Sequence, residues 1–225
     1  MKSSRHVTSY RNEMRKPKDQ SYETRHVGRR QQKERLLIVC EGEKTEPNYF
    51  DSFPVHRKEV YLQIEGVGYN TLSLVNKAIV LRNAAKANGD AFHQVWCVFD
   101  RDSFSLLQFN SALKLASDEG IHVAYSNESF EIWYLLHYDY CETKISRETY
   151  KKRLSKHLGY QYEKNSKTIY KDILKKQGDA ILRATKLHSL NALPSKEQDN
   201  SCTTVYKLVI ELNKYLIGRY HSTSE

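Results

Sequence analysis

The chain has no apolar run approaching the roughly 20 residues that a membrane-spanning helix needs, and its N-terminus lacks an apolar core of the signal-peptide kind. Both absences predict a cytoplasmic protein with no membrane association. Cysteine is sparse: Cys40, Cys97, Cys141 and Cys202 stand far apart, with no Cys-x-x-Cys pair and no histidine at zinc-ligand spacing. That argues against a structural zinc and a disulfide framework, and Cys40 and Cys97, inside apolar runs, read as small buried hydrophobes. Internal repeats and low-complexity segments are missing as well. The string Gly42-Glu43-Lys44-Thr45 lacks both the glycine before the lysine and the earlier glycine of a phosphate-binding loop, so that motif is excluded.

What is present is an ordinary globular composition, 39% hydrophobic and 28% charged over 225 residues, which suits one domain elaborated with helices. The net charge of +9 is uneven. Residues 1–34 hold ten Lys or Arg against four acids, a balance of +6, and the remaining 191 residues carry 26 basic against 23 acidic, a balance of +3. This arm has almost no aliphatic residues and cannot bury itself. It is expected to contact a polyanion or to serve solubility.

Short aliphatic runs separated by helix-length segments predict an α/β fold: a parallel sheet of about four strands with flanking helices and a helical C-terminal extension. The strands are expected at 36–40, 60–64, 94–99 and 121–125. Helices are expected from Thr45 to Phe53, where Thr45 reads as a cap and Pro47 as an early helical proline, and over 71–88 and 103–118. The segment Phe130–Tyr138 is apolar on nearly every side and predicts a buried helix. Beyond it, helices are expected over 146–158, 166–176, 178–189 and 202–217. The resulting organisation is a basic tail at 1–34, an α/β core at 35–140 and a helical extension at 141–225.

Two acidic clusters follow apolar strands: Cys40-Glu41-Gly42-Glu43-Lys44-Thr45-Glu46 and Phe99-Asp100-Arg101-Asp102. Open α/β sheets place ligands at the C-terminal ends of their strands, so the two clusters are expected to converge. Carboxylates 5 Å apart repel by roughly 3 kcal/mol at an effective dielectric near 20. A divalent cation removes that repulsion, and a carboxylate set with room for water is what Mg²⁺ or Mn²⁺ prefers. Glu41, Glu46, Asp100 and Asp102 are therefore the candidate metal ligands, with Gly42 letting the backbone turn sharply. Each has an ordinary alternative as a strand-end, helix-start or capping residue. Glu131 opens the buried helix and needs a partner, either a cation or the metal; Glu128 is a weaker candidate. Lys164 and Lys167 can bring positive charge to a phosphate.

These residues carry a resemblance. The Glu-Gly turn after strand one and the Asp-x-Asp after strand three resemble the two signature motifs of the TOPRIM fold. More closely, Ile-Val-Cys-Glu-Gly-Glu-Lys-Thr-Glu-Pro-Asn-Tyr-Phe (38–50), Phe-Asp-Arg-Asp (99–102), Ser-Asn-Glu-Ser-Phe-Glu-Ile-Trp-Tyr-Leu-Leu-His-Tyr (126–138) and Tyr-x-Lys (162–164) resemble the RloB family over about residues 35–217. The resemblance implies a metal-dependent endonuclease acting on RNA, tRNA included, or on DNA, as a toxic effector of bacterial antiviral defence with an ABC- or AAA-type ATPase partner. By position it implies Glu41 as general base or ligand, Asp100 and Asp102 as ligands of one or two Mg²⁺ or Mn²⁺ ions, and Glu46 as ligand of a second ion. Glu131 and Lys164 complete the catalytic candidates. Glu46 stands one residue farther from Glu41 than in the related OLD nucleases, and 198–204 replaces an expected Asn-Pro-Ser-Thr-like stretch. Two other readings compete: a non-catalytic nucleic-acid-binding subunit, and a haloacid-dehalogenase-like phosphatase using Asp100-x-Asp102. The oligomeric state is open, a homodimer among the options.

Overall fold

The computed structural model describes residues 33–101, 105–191 and 201–217. Nearly all of the basic arm, Asp102 and the first part of the 198–204 stretch lie outside the described residues.

Four parallel strands, β1 (Glu34–Cys40), β2 (Val60–Gly66), β3 (Gln94–Asp100) and β4 (His122–Asn127), are joined by a short antiparallel β5 (Cys202–Thr203) in the order β2-β1-β3-β4-β5. The central strands β1 and β3 are buried on both faces, which is why they read as unbroken apolar runs, while the edge strand β2 is partly exposed. Leu36, Ile38 and Cys40 of β1 face one core with Trp96, Val98 and Ala124. Leu37 and Val39 face the other with Val95, Cys97 and Phe99.

The second core is closed by α2 (Thr71–Ala87) and α3 (Leu106–Asp118). The first is larger. It takes in α1 (Thr45–Asp51), the buried α4 (Glu131–Leu135), α5 (Arg147–Leu158), α6 (Ile169–Ile173), α7 (Gln177–Asn191) and α8 (Val205–Asn213). Helix α1, between β1 and β2, lies on the opposite face from α2 and α3, because the chain moves outward one way from β1 and then returns across it to β3. The strand order thus reverses between β1 and β3, and the crevice at such a switch point is where open α/β sheets bind ligands.

The expected elements are present with three differences. The segment expected to be helical from 202 begins with β5, because its threonines satisfy β4 instead: Thr204 N–H donates to Tyr125 O at 2.8 Å, Tyr125 N–H donates to Thr204 Oγ1 at 2.9 Å, and Thr203 Oγ1 lies 2.9 Å from Ser126 Oγ. Such side-chain bonds compete with helix formation. The buried helix expected over 130–138 is regular only at Glu131–Leu135. The helix expected over 166–176 is α6 followed by a 3-10 turn, Leu174–Lys176, that runs directly into α7. Among the described residues no helix is long and apolar enough to cross a membrane.

Candidate functional site

Strand register brings the two acidic clusters together. Cys40 pairs with Val98, and Glu41 N–H donates to Val98 O at 2.8 Å, so β1 and β3 end side by side. The Glu41 carboxylate then reaches across the crevice, where its Oε2 accepts the Asp100 backbone N–H at 3.0 Å. Burial raises the pKa of Glu41, against the lowering effects of that hydrogen bond and of Arg147.

Glu46, the second residue of α1, is 5% exposed, and its Oε2 has no hydrogen-bond partner. Its carboxylate occupies the space where a side chain at Gly42 would be: a Cβ there would stand 2.2 Å from Oε2. The turn expected at Gly42 does not use the left-handed region, so what favours glycine there is this contact with Glu46. Burial above all, with the neighbouring Glu131 and Glu41 charges, pushes the Glu46 pKa up to about 7, although its own backbone N–H and Lys164 act the other way. Asp100 ends β3 with 17% of its side chain exposed and Oδ1 without a partner. Burial raises its pKa well above the usual range, followed by the charges of Glu46, Glu131 and Glu41, with Arg147 opposing.

Glu131 is the first residue of α4, just after β4, the next strand over, and is 2% exposed. Its Oε1 accepts from Tyr162 Oη at 3.4 Å and lies 3.8 Å from Lys164 Nζ, which supplies the cationic partner its burial demands. Lys164 is held over the site by its backbone. Thr45 Oγ1 donates to Lys164 O at 2.9 Å, and Asn48 Nδ2 donates to Asn165 O at 3.1 Å. Thr45 is thus not the cap expected from its place at the helix start. Lys44 precedes the helix, no side chain caps it, and the Thr45 hydroxyl is spent on the distant loop.

Of the sequence candidates, the structure brings together Glu41, Glu46, Asp100, Glu131 and Lys164. Glu41, Glu46, Asp100 and Lys164 line one open cavity of about 460 Å³. Asp102 lies outside the described residues. Lys167 is exposed and does not line this cavity, and neither does Glu128.

Arg147 joins the site without having been a sequence candidate. It is the first residue of α5, and its guanidinium Nη2 lies 3.7 Å from Asp100 Oδ2. The sequence held a signal for it, since a cation in the first turn of a helix opposes the dipole and calls for a nearby anion.

A family profile describing RloB-like proteins matches residues 36–212. The chain belongs to the RloB-like protein family. No curated protein and no solved structure matches it. The RloB-like region contains every residue that converges on the cavity, from Glu41 to Lys164, and leaves the basic arm outside.

Whether a hard cation suits this RloB-like site is decided by its donors. They are all carboxylate oxygens, and two of them, Glu46 Oε2 and Asp100 Oδ1, are buried without a hydrogen bond. Such oxygens fit Mg²⁺ or Mn²⁺. Among the described residues no three His, Cys, Asp or Glu side chains already stand as a ligand set.

Proposed function

We propose that this RloB-like chain is a TOPRIM-type, divalent-cation-dependent endonuclease that hydrolyses phosphodiesters in RNA or DNA. One observation carries the reading. Carboxylates from the ends of β1 and β3 and from the first turns of α1 and α4 converge beside two cations at the sheet's switch point, and two of their buried oxygens lack hydrogen bonds. Folding brings four acids together against desolvation and mutual repulsion, a cost of several kcal/mol that a ligand-binding role explains and a purely structural one does not.

Glu41, Glu46 and Asp100 would hold the cation, which when bound supplies Lewis-acid polarisation of a phosphoryl oxygen and a water of lowered pKa. Glu41 Oε2 is held by the Asp100 N–H, leaving Oε1 to take the proton of the attacking water. Burial raises the basicity of Glu41, as a general base requires. The water oxygen bonds to phosphorus, the bond to the leaving sugar oxygen breaks, and that oxygen takes a proton from solvent or from Lys164 Nζ. Lys164, half exposed and anchored by Glu131, brings its charge to the phosphate. The seat of Glu41 on Asp100 gives the first cluster a role that a phosphatase using Asp100 as nucleophile leaves unexplained.

The resemblance extends the proposal to a toxic effector in antiviral defence, with an ATPase partner and the +6 arm as a nucleic-acid contact. The test is incubation of the full chain, with its ATPase where one is encoded alongside, with mixed RNA and DNA in Mn²⁺, Mg²⁺ or chelator. Strand breaks only with the cation support the reading, and intact nucleic acid in every condition overturns it.

A further inference from the structure

The carboxylate cavity is not isolated. Lys164 also lines a second cavity of about 670 Å³, formed between α5 and the loop that leads into Lys164. Glu148, Lys151, Lys152 and Ser155 line it from α5, and Gln161, Tyr162 and Glu163 from the loop. Arg147, which touches the carboxylate cavity, stands one turn before Lys151 on the same helix. Residues four apart share a helix face, so α5 walls both cavities in succession.

The chemistry of the second cavity is mixed. Lys152 is exposed, while Lys151 is shared with Glu148 at 3.1 Å. On the loop, Gln161 Nε2 donates to Glu163 Oε1 at 3.1 Å, which fixes an amide and a carboxylate side by side. Lysines alone would suit a bare phosphate chain. Lysines opposite a fixed edge of donors and acceptors suit a whole nucleotide, with its phosphate on the cations and its base edge on the amide and carboxylate.

Size narrows the ligand further. The volume equals that of a cube about 9 Å on a side, within the range of pockets that seat small ligands. A base whose edge is taken by Gln161 and Glu163 cannot pair with a complementary strand at the same time, so the nucleotide seated there is unpaired.

We propose that α5 is the substrate rail of this site. An unpaired nucleic-acid strand lies along it, one nucleotide is seated between α5 and the Gln161–Lys164 segment, and the adjoining phosphate passes Arg147 to reach the carboxylates. This rests on the nuclease reading and adds to it the strandedness of the substrate and the residues that hold it. Arg147 and Lys164 then meet the scissile phosphate from two sides, one beside Asp100 and the other beside Glu131. A planar guanidinium offers paired donors to phosphate oxygens in a geometry that a lysine lacks.

The experiment is fluorescence anisotropy of the full chain in chelator, with a labelled 12-nucleotide single strand, as RNA and as DNA, and a blunt duplex of the same sequence. The strand is expected to bind at least ten-fold more tightly than the duplex. Lys152→Gln should weaken it about five-fold, with a salt slope shallower by about 0.7 because one phosphate is no longer neutralised. Lys86→Glu, in the last turn of α2 at the other end of the sheet, should leave affinity within two-fold. In single-turnover cleavage with Mn²⁺, Arg147→Gln should slow the reaction at least 100-fold and Arg147→Lys should recover only part of it. Equal or tighter binding of the duplex, or a Lys152→Gln affinity and salt slope equal to those of wild type, overturns the rail. If the wild type still cleaves in a cation-dependent way, the rail falls alone. If it neither binds nor cleaves any strand, the nuclease reading falls with it.

Discussion

Gly42 is the residue on which the site's geometry turns. A Cβ at this position would collide with the Glu46 carboxylate, the far end of a flexible side chain that lines the open cavity and would swing aside. Gly42→Ala is therefore expected to displace Glu46 at a cost of no more than about 1 kcal/mol, and to lower cleavage at least ten-fold. Thermal unfolding and initial rates on one oligonucleotide check both effects. Lys164 is the opposite case, a half-exposed charge whose removal leaves no hole. Lys164→Met should lower the melting temperature, because the buried Glu131 loses its cation, and Lys164→Arg should restore it. The methionine variant should lower single-turnover cleavage about 100-fold, the size of effect seen when one preorganised donor is removed. Unchanged cleavage would make Lys164 only the counter-ion of Glu131.

At the scale of elements, the site depends on a docking between α1 and a loop more than a hundred residues away. Thr45→Val removes the hydroxyl that holds Lys164 O, a loss of about 1 kcal/mol. The rate should fall several-fold while strand affinity stays constant, and Thr45→Ser should restore it. If valine and serine behave alike, the loop is held by other groups. This docking is not legible in the sequence, because a threonine at a helix start reads as a cap and nothing local announces a partner at Lys164. The two central strands and their acidic ends are legible, since strands buried on both faces leave unbroken apolar runs that stop where the ligand crevice begins. Lys164 is legible only through the Tyr-x-Lys motif. Strand β5 leaves no signal because two residues, Cys202 and Thr203, are too few for any periodicity, and their pairing with Asn127 and Ser126 is a long-range event.

For the whole molecule, the acidic cluster ties stability to pH. The Glu46 carboxyl, raised from 4.5 to about 7 by burial and its neighbours, holds a proton more tightly folded than unfolded. Its contribution is thus fully present below about pH 4.5 and is lost as pH rises toward 7, on the order of 3 kcal/mol at 1.36 kcal/mol per unit. Glu41 and Asp100 are shifted in the same direction. In chelator the melting temperature is expected to fall between pH 5 and 7.5, and Glu46→Gln should flatten that decline. Mn²⁺ should restore stability at pH 7.5 in proportion to the logarithm of its concentration, as any ligand of the folded state does. A melting temperature independent of pH in this window would show that burial and the neighbouring charges do not hold a proton on Glu46. The most direct measurement of the nuclease mechanism is cation-dependent cleavage by Glu41→Gln beside the wild type, with strand binding measured in parallel and the ATPase included where one exists. Cleavage is predicted to fall at least 100-fold with affinity within a few-fold; full cleavage by the glutamine variant would contradict it.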